Sequence, residues 1–389
     1  MKNISFKKKA AVSVLLVLMI CLLSPAQTAE EQIPASPDKA PDLSGVVYLN
    51  RYKCDDGYRL YSSRQTEVAH LIDIDGREVH RWSSSQGHNW HYADMLPNGN
   101  LVAIMKPGGG FPGMIIELDW NSNLVWKVDL GAHHDFYRRQ NGNTIVLSKE
   151  RITNEELRPG KKDWQCSVLV ELTSKNETVW EWHLHEHVKE MAELVKGQAD
   201  ILDGFAGLHT NSIEILPENP TGKKDQRFRA GNLLFSCKKV NTIGVMDRET
   251  EKVVWAWYVA DNAAQHMPTM LDNGNILLYD NGQKLEQTRI IELDPLTKNI
   301  VWEYQPDNRD KFYSRTRGSN QRLPNGNTLI AESDAGRMFE VTPQGEIVWE
   351  FLNPDHSSSG RRMPLYRVIR YSRELVNGLL ARHSSGEAG

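Results

Sequence analysis

Three histidines in this chain stand at one fixed distance before a repeated turn. Side chains held at equivalent points of a repeat face one axis when the repeats close into a ring. His91 precedes Leu96-Pro97-Asn98-Gly99-Asn100, His134 precedes Asn141-Gly142-Asn143, and His266 precedes Leu271-Asp272-Asn273-Gly274-Asn275. In each copy the histidine lies seven residues before the asparagine of the Asn-Gly pair. In another copy that place is taken by Gly318, ahead of Asn325-Gly326-Asn327, so the repeat itself does not require histidine there. A further copy opens with His209-Thr210-Asn211 and continues to Ser236-Cys237-Lys238. Several imidazoles and a lysine around one axis suit two chemistries. An imidazole can attack an electrophilic phosphorus or sulfur centre while its neighbours donate hydrogen bonds to the charged oxygens. Three imidazoles with an open position equally make a catalytic zinc or manganese site. Spacing leaves both open, because the side chains come from different repeats.

The elements that must position these residues are marked by a second phrase, an apolar strand carrying tryptophan. It recurs at Trp82, Trp126, Trp180, Trp255, Trp302 and Trp349, with spacings of 44, 54, 75, 47 and 47 residues. Those intervals fit a four-stranded propeller blade with insertions in two places. Asn-Gly between alternating runs predicts hairpins, because both residues tolerate positive φ. The expected fold class is all-β, a six-bladed β-propeller with short helical or loop insertions. The tryptophans are assigned to packing between blades. Insertions at about 150–165, 184–208 and 217–229 are expected to form rim loops or a lid, and 187–195 has helical spacing. His183, His185 and His187 alternate in a way that metal binding would allow, but they are read as surface residues. His133 lies one residue out of register and is expected on the other face of its strand.

Residues 1–26 read as a secretory signal peptide, with lysines before the apolar run Ala10 to Leu23 and small residues after it. Residues 27–42 read as a flexible leader, 43–375 as a single propeller and 376–389 as a C-terminal tail. The expected location is the periplasm or the exterior. A formal net charge of −4 with no long basic run outside the signal peptide disfavours nucleic acid or an anionic membrane as partner and favours a small-molecule ligand, and no apolar run is long enough to predict membrane insertion. Oligomerisation is left open. Cys54, Cys166 and Cys237 allow at most one internal bridge, so disulfides are not expected to hold the fold.

The order His209-Thr210-Asn211, Ser236-Cys237-Lys238, Gln265-His266 before Asn273-Gly274-Asn275, and Asp280-Asn281-Gly282 resembles the arylsulfotransferase family. The resemblance runs on through residues 321–330 and 339–349 and covers most of the chain beyond the leader. It implies a secreted six-bladed propeller that moves a sulfuryl group from a phenolic sulfate donor to a phenol acceptor without a nucleotide. It also implies His266 as the nucleophile, transiently sulfated, with His209 and His134 as further active-site histidines and no metal or soluble cofactor. Lys238 falls where the family is expected to carry arginine, a point charge in place of a two-pronged clamp. The short chain is most similar to a propeller-only branch. His91, Asn211, Tyr137 and Arg317 are weaker substrate-binding candidates, and Arg322 is a second possible cation. Rival readings are a metal-dependent hydrolase or lyase with His134, His209 and His266 on one ion, and a non-catalytic binding propeller. A quinoprotein is disfavoured by the lack of an adjacent cysteine pair or a calcium cluster.

Overall fold

Each Asn-Gly phrase folds as a tight turn between the first and second strands of a blade. At Leu271, Gly274 N–H donates to Leu271 O and Leu271 N–H to Asn275 O, both at 2.8 Å. Gly274 sits at φ +88°, where a Cβ would come within 2.4 Å of Thr221 Oγ1, so only glycine fits. In the computed structural model, which describes residues 43–85, 88–107, 113–152, 164–196, 208–306 and 312–384, these hairpins build six antiparallel sheets. The sequences read as signal peptide and leader lie outside the described residues.

Blade 1 comprises Leu365–Tyr371, Tyr58–Ser63, Val68–Ile72 and Glu78–Ser83, in that order from the axis. Blade 2 is His88–Met95, Leu101–Pro107, Met114–Leu118 and Leu124–Asp129; blade 3 is Phe136–Arg138, Thr144–Ile152, Trp164–Leu172 and Thr178–His183. Blade 4 is Thr210–Ile215, Leu233–Cys237, Thr242–Met246 and Val253–Tyr258; blade 5 is His266–Met270, Ile276–Asp280, Arg289–Asp294 and Asn299–Tyr304. Blade 6 is Ser319–Arg322, Thr328–Glu332, Arg337–Val341 and Ile347–Leu352, with Gly45–Leu49 added outside. First strands touch in succession from blade 3 to 4, 5 and 6, and from 6 through 1 to 2. The fold is the six-bladed β-propeller that the repeats predict. Its first blade takes its innermost strand from the carboxy-terminal end of the chain, so both ends are tied into the ring.

The phrases also explain how blades adhere. The last asparagine of the turn donates to a glutamate on the third strand: Asn100 to Glu117 at 2.7 Å, Asn143 to Glu171 at 2.8 Å, Asn275 to Glu292 at 2.6 Å and Asn327 to Glu340 at 2.7 Å. An arginine from the following blade pairs with each of these carboxylates, respectively Arg138, Arg248, Arg322 and Arg59. Its guanidinium lies over the outer-strand tryptophan, at 5.4 Å from Trp126, 3.8 Å from Trp180, 4.6 Å from Trp302 and 4.9 Å from Trp349. Trp255, Trp302 and Trp349 further donate their indole N–H to carbonyls in the next blade. Tryptophan therefore joins blades, as expected, and Arg322 is a staple here.

The segment expected as a tail is a helix, Arg373–Ser384, whose Val376 and Leu379 are buried against blades 1 and 2. The 184–208 insertion contributes a 3-10 turn, Leu184–His187, and a helix, Val188–Leu194, packed on blades 3 and 4. The 217–229 insertion packs Phe228 against Trp255 at the turn end of the channel, away from the histidines, so it forms no lid over them. Residues 153–163 and 197–207, also expected at the rim, lie outside the described residues. Cys54, Cys166 and Cys237 are all free thiols. No helix among the described residues is long and apolar enough to cross a membrane.

Candidate active site

Counted seven residues back from the turn asparagine, His91, His134, His266 and Gly318 share one register in blades 2, 3, 5 and 6, with Tyr366 and Asn211 at the matching places of blades 1 and 4; strand pairing is irregular between Trp90 and Tyr92, Thr210 and Ser212, and His266 and Thr269. A bulge re-aims side chains that a regular strand would send to its flanks. His209 is two residues before this register, which Asn211 occupies in blade 4. The chain passes His209 at φ +53° and His134 at φ +61°, and their rings meet at 4.8 Å between centroids. His133 is no residue of an opposite strand face. Here the chain is irregular and alternation fails, so His133 turns inward and its Nδ1 lies 2.7 Å from Nδ1 of His134. His91 contacts Tyr366 with centroids 5.8 Å apart.

The hydrogen bonds fix where the imidazole protons lie. Asn281 donates its amide N–H groups to the carbonyls of Ser314 at 2.8 Å and Arg317 at 2.7 Å. Its Oδ1 therefore faces His266 as an acceptor, 2.7 Å from Nδ1, so Nδ1 carries the proton and Nε2 keeps its lone pair. A second chain starts at Ser148 O, which accepts from His133 Nε2 at 3.1 Å. His133 Nδ1 is then an acceptor, His134 Nδ1 donates to it, and His134 Nε2 is left with a lone pair. Burial, reinforced by neighbouring cations and imidazoles, drives the histidine pKa values down, to about 3 for His266 and His133 and about 4 for His209 and His91. His134 is pushed well below its ordinary value by burial and then by His133. All five rings are neutral at pH 7, and Nε2 of His266 and of His134 keeps a free lone pair.

Positive charge comes instead from the ends of the second strands. Pairing with the third strands places Arg64, Lys106, Lys149, Lys238, Asn281 and Ser333 at one register in blades 1 to 6. Four successive blades thus present a cation, and no carboxylate among the described residues pairs with any of the four. Burial and the Arg317 guanidinium lower the Lys238 ammonium from its usual value. Arg317 is itself tied to Asp334 at 2.6 Å, and its carbonyl holds Asn281. Counting six residues beyond the last asparagine of the turn, from Asn100, Asn143 and Asn232, lands on Lys106, Lys149 and Lys238. The same spacing therefore marks Lys106 and Lys149 in the sequence beside Lys238.

One residue further along the first strands, Arg367 pairs with Asp135 through two hydrogen bonds of 2.8 and 3.0 Å and lies 4.2 Å above the Tyr92 ring. Asp135 also accepts from Ile213 N–H at 2.9 Å. This buried pair ties blades 1, 3 and 4 across the channel. Beyond it lie clefts of about 650 and 830 Å³, whose linings include Tyr92, Glu214 and Thr269 but none of the five histidines. Both clefts exclude the histidines, so the candidate site is placed by its chemistry. Tyr137 lines the first of these clefts and is not brought to the histidines. Asn211 is fully buried beside them, donating to Gln265 O at 2.7 Å, with its Oδ1 unpartnered. Among the described residues, the one group of at least three metal-ligand atoms gathered within 4.8 Å lies elsewhere, at Glu150, Cys166 and His185.

No curated relative matches the chain. Among solved structures it is similar to a Bacteroides caccae protein of unknown function, with 12% identity over 82% of this chain and 100% of that one and a TM-score of 0.51. It is also similar to the periplasmic gluconolactonase of Pseudomonas aeruginosa, with 10% identity over 81% and 99% of the two chains and a TM-score of 0.50. At such identities the likeness is one of fold. The family model for arylsulfotransferase (ASST) matches residues 92–354. That span takes in His134, His209, Lys238, His266 and Asn281, and with it the chain belongs to the arylsulfotransferase family.

Proposed function

We propose that this protein transfers a sulfuryl group from a phenolic sulfate ester to a phenol through a sulfo-histidine at His266. The observation that carries the reading is the neutral His266 ring, held by Asn281 with Nε2 unprotonated, beside Arg64, Lys106, Lys149 and Lys238, which pair with no carboxylate among the described residues. Nε2 attacks sulfur as the bond from sulfur to the ester oxygen breaks, and the phenolate leaves with that electron pair. The acceptor phenol then attacks the same sulfur. Its proton passes to Nε2 of His134, and the nitrogen–sulfur bond returns its pair to His266. Sulfuryl transfer of this loose kind depends on positioning and electrostatics. Lys238, with Lys149, Lys106 and Arg64 nearby, favours the anionic ester and steadies charge on its oxygens. The amino-terminal sequence supports action outside the cytoplasm.

The test is intact-mass analysis of wild type and His266→Ala after brief incubation with 4-nitrophenyl sulfate, with nitrophenol release followed with and without added phenol. Wild type alone should gain one sulfuryl group, phenol should accelerate release, and a chelator should change neither. Release that persists in His266→Ala, or that a chelator abolishes, would overturn the sulfo-histidine route.

A further inference from the structure

One cluster outside the channel mouth brings together side chains whose donors favour a metal. Glu150 and Cys166 are direct partners across the second and third strands of blade 3. The chain then returns along Thr178–His183 into the turn Leu184–His187. That path sets His183 and His185 over the same carboxylate: Nδ1 of His183 is 2.7 Å from Glu150 Oε2, and Nδ1 of His185 is 3.0 Å from Oε1. The backbone N–H of His185 points at the Cys166 sulfur. Glu150, Cys166 and His185 offer ligand atoms all within 4.8 Å of one another. Cys166 also packs in the apolar cluster of blades 3 and 4, and its sulfur brings a soft donor to this carboxylate and these imidazoles.

We propose that Glu150, Cys166 and His185, whose ligand atoms already lie together, bind a zinc ion, and that His183, outside that group but on the same carboxylate, turns in as the fourth donor. One thiolate, two imidazoles and one carboxylate oxygen form a borderline donor set that suits zinc, whereas calcium and magnesium require several oxygens. Four protein donors leave no open position, so the ion is structural. On binding, the Cys166 thiol proton is released, and each Nδ1 turns a lone pair to the metal with the ring proton on Nε2. His187 stays outside the set, stacked on Trp182 at 4.9 Å and bonded to Glu190 at 3.1 Å. The side chains of His183, Glu150 and His185 are 32%, 19% and 15% exposed, which leaves a path for the ion. The ion would tie the blade 3 hairpin to the 184–194 insertion. It would also stiffen the strand that carries Lys149 and Ser148 into the mouth. None of this depends on the sulfuryl chemistry.

Full-length protein stripped with chelator is titrated with zinc against a chromophoric competitor, and separately with cobalt(II). Wild type should take up one zinc per chain, show a thiolate-to-cobalt charge-transfer band in the near ultraviolet, and gain several degrees in Tm with zinc. His185→Ala and Cys166→Ser should each weaken binding at least about tenfold, while His134→Ala and His266→Ala keep the wild-type equivalent. If Cys166→Ser does not fold, the partly exposed His183→Ala and His185→Ala carry the comparison. No uptake by wild type, equal affinity in His185→Ala, or loss confined to the channel variants would overturn the assignment.

Discussion

An imidazole does not choose its own tautomer; the partner on its far side does. For His266 that partner is Asn281, whose orientation is fixed by two carbonyls that can only accept. The substitution Asn281→Asp replaces a neutral acceptor with a carboxylate, which stabilises the imidazolium and raises the His266 pKa from about 3. Nε2 is then protonated over part of the working range. Wild-type kcat should show no His266 limb between about pH 5 and 8, while Asn281→Asp should gain an acid limb and Asn281→Ala should lose roughly 10²-fold or more in kcat. A flat profile in the Asp variant would remove Asn281 from the argument. The histidines at seven-residue spacing could be read from the sequence because the turn phrase marks them. Asn281 could not be given this role, since its hydrogen bond depends on Ser314 and Arg317 from the next blade. His133 was misplaced for a related reason: period-two alternation holds only while the backbone stays extended, and His134 at φ +61° ends it.

Among the elements, what joins one blade to the next is the staple of asparagine, glutamate, arginine and tryptophan. The turn and tryptophan phrases were visible as repeats, and they gave the blade number correctly. The arginines do not stand out as one pattern, because they come from three different positions in the following blade: Arg138 and Arg322 lie three residues before the turn asparagine, Arg248 follows the third strand and Arg59 lies on the second. Arg322 is the instructive case: as a lone residue beside a turn it passes for solvated charge or a second active-site cation, and only the register brings Glu292 and Trp302 to it. The staple at the closure of the ring is the most buried, with both Arg59 and Glu340 at 0% exposure. Glu340 there also accepts from Asp55 N–H and Asn327. Removing one partner of such a pair leaves an uncompensated buried charge, which costs about 3–5 kcal/mol. Glu340→Gln should therefore lower unfolding stability by that order in urea, whereas Glu78→Gln, whose carboxylate is partly exposed beside Arg81, should cost about 1 kcal/mol or less. Equal losses for the two would mean that blade closure does not rest on this pair.

Over the whole molecule, burying neutral histidines at one end of the channel couples folding to pH. The unfolded chain protonates these rings near 6.5, while the folded chain resists until about 4 for His91 and His209 and about 3 for His133 and His266. Between those limits the unfolded state binds more protons, so stability is present above pH 6.5 and is lost as pH falls through the window. Each fully buried ring contributes about 1.4 kcal/mol per pH unit of that window. At the other end, burial raises the Glu214 carboxyl from 4.5 to about 8. Here the sign reverses, because the folded state holds the proton between those values, and stability falls as pH rises from 4.5 to about 8. Several histidines outweigh one carboxyl below 6.5 and contribute nothing above it. The melting temperature should therefore climb from pH 4.5 to a maximum near pH 6.5 and decline gently toward pH 8. In Glu214→Gln the alkaline decline should flatten while the acid climb remains. A wild-type Tm that does not change between pH 4.5 and 6.5 would mean that the five rings are protonated in the folded chain, and His266 would then lack the lone pair on which the proposed transfer depends.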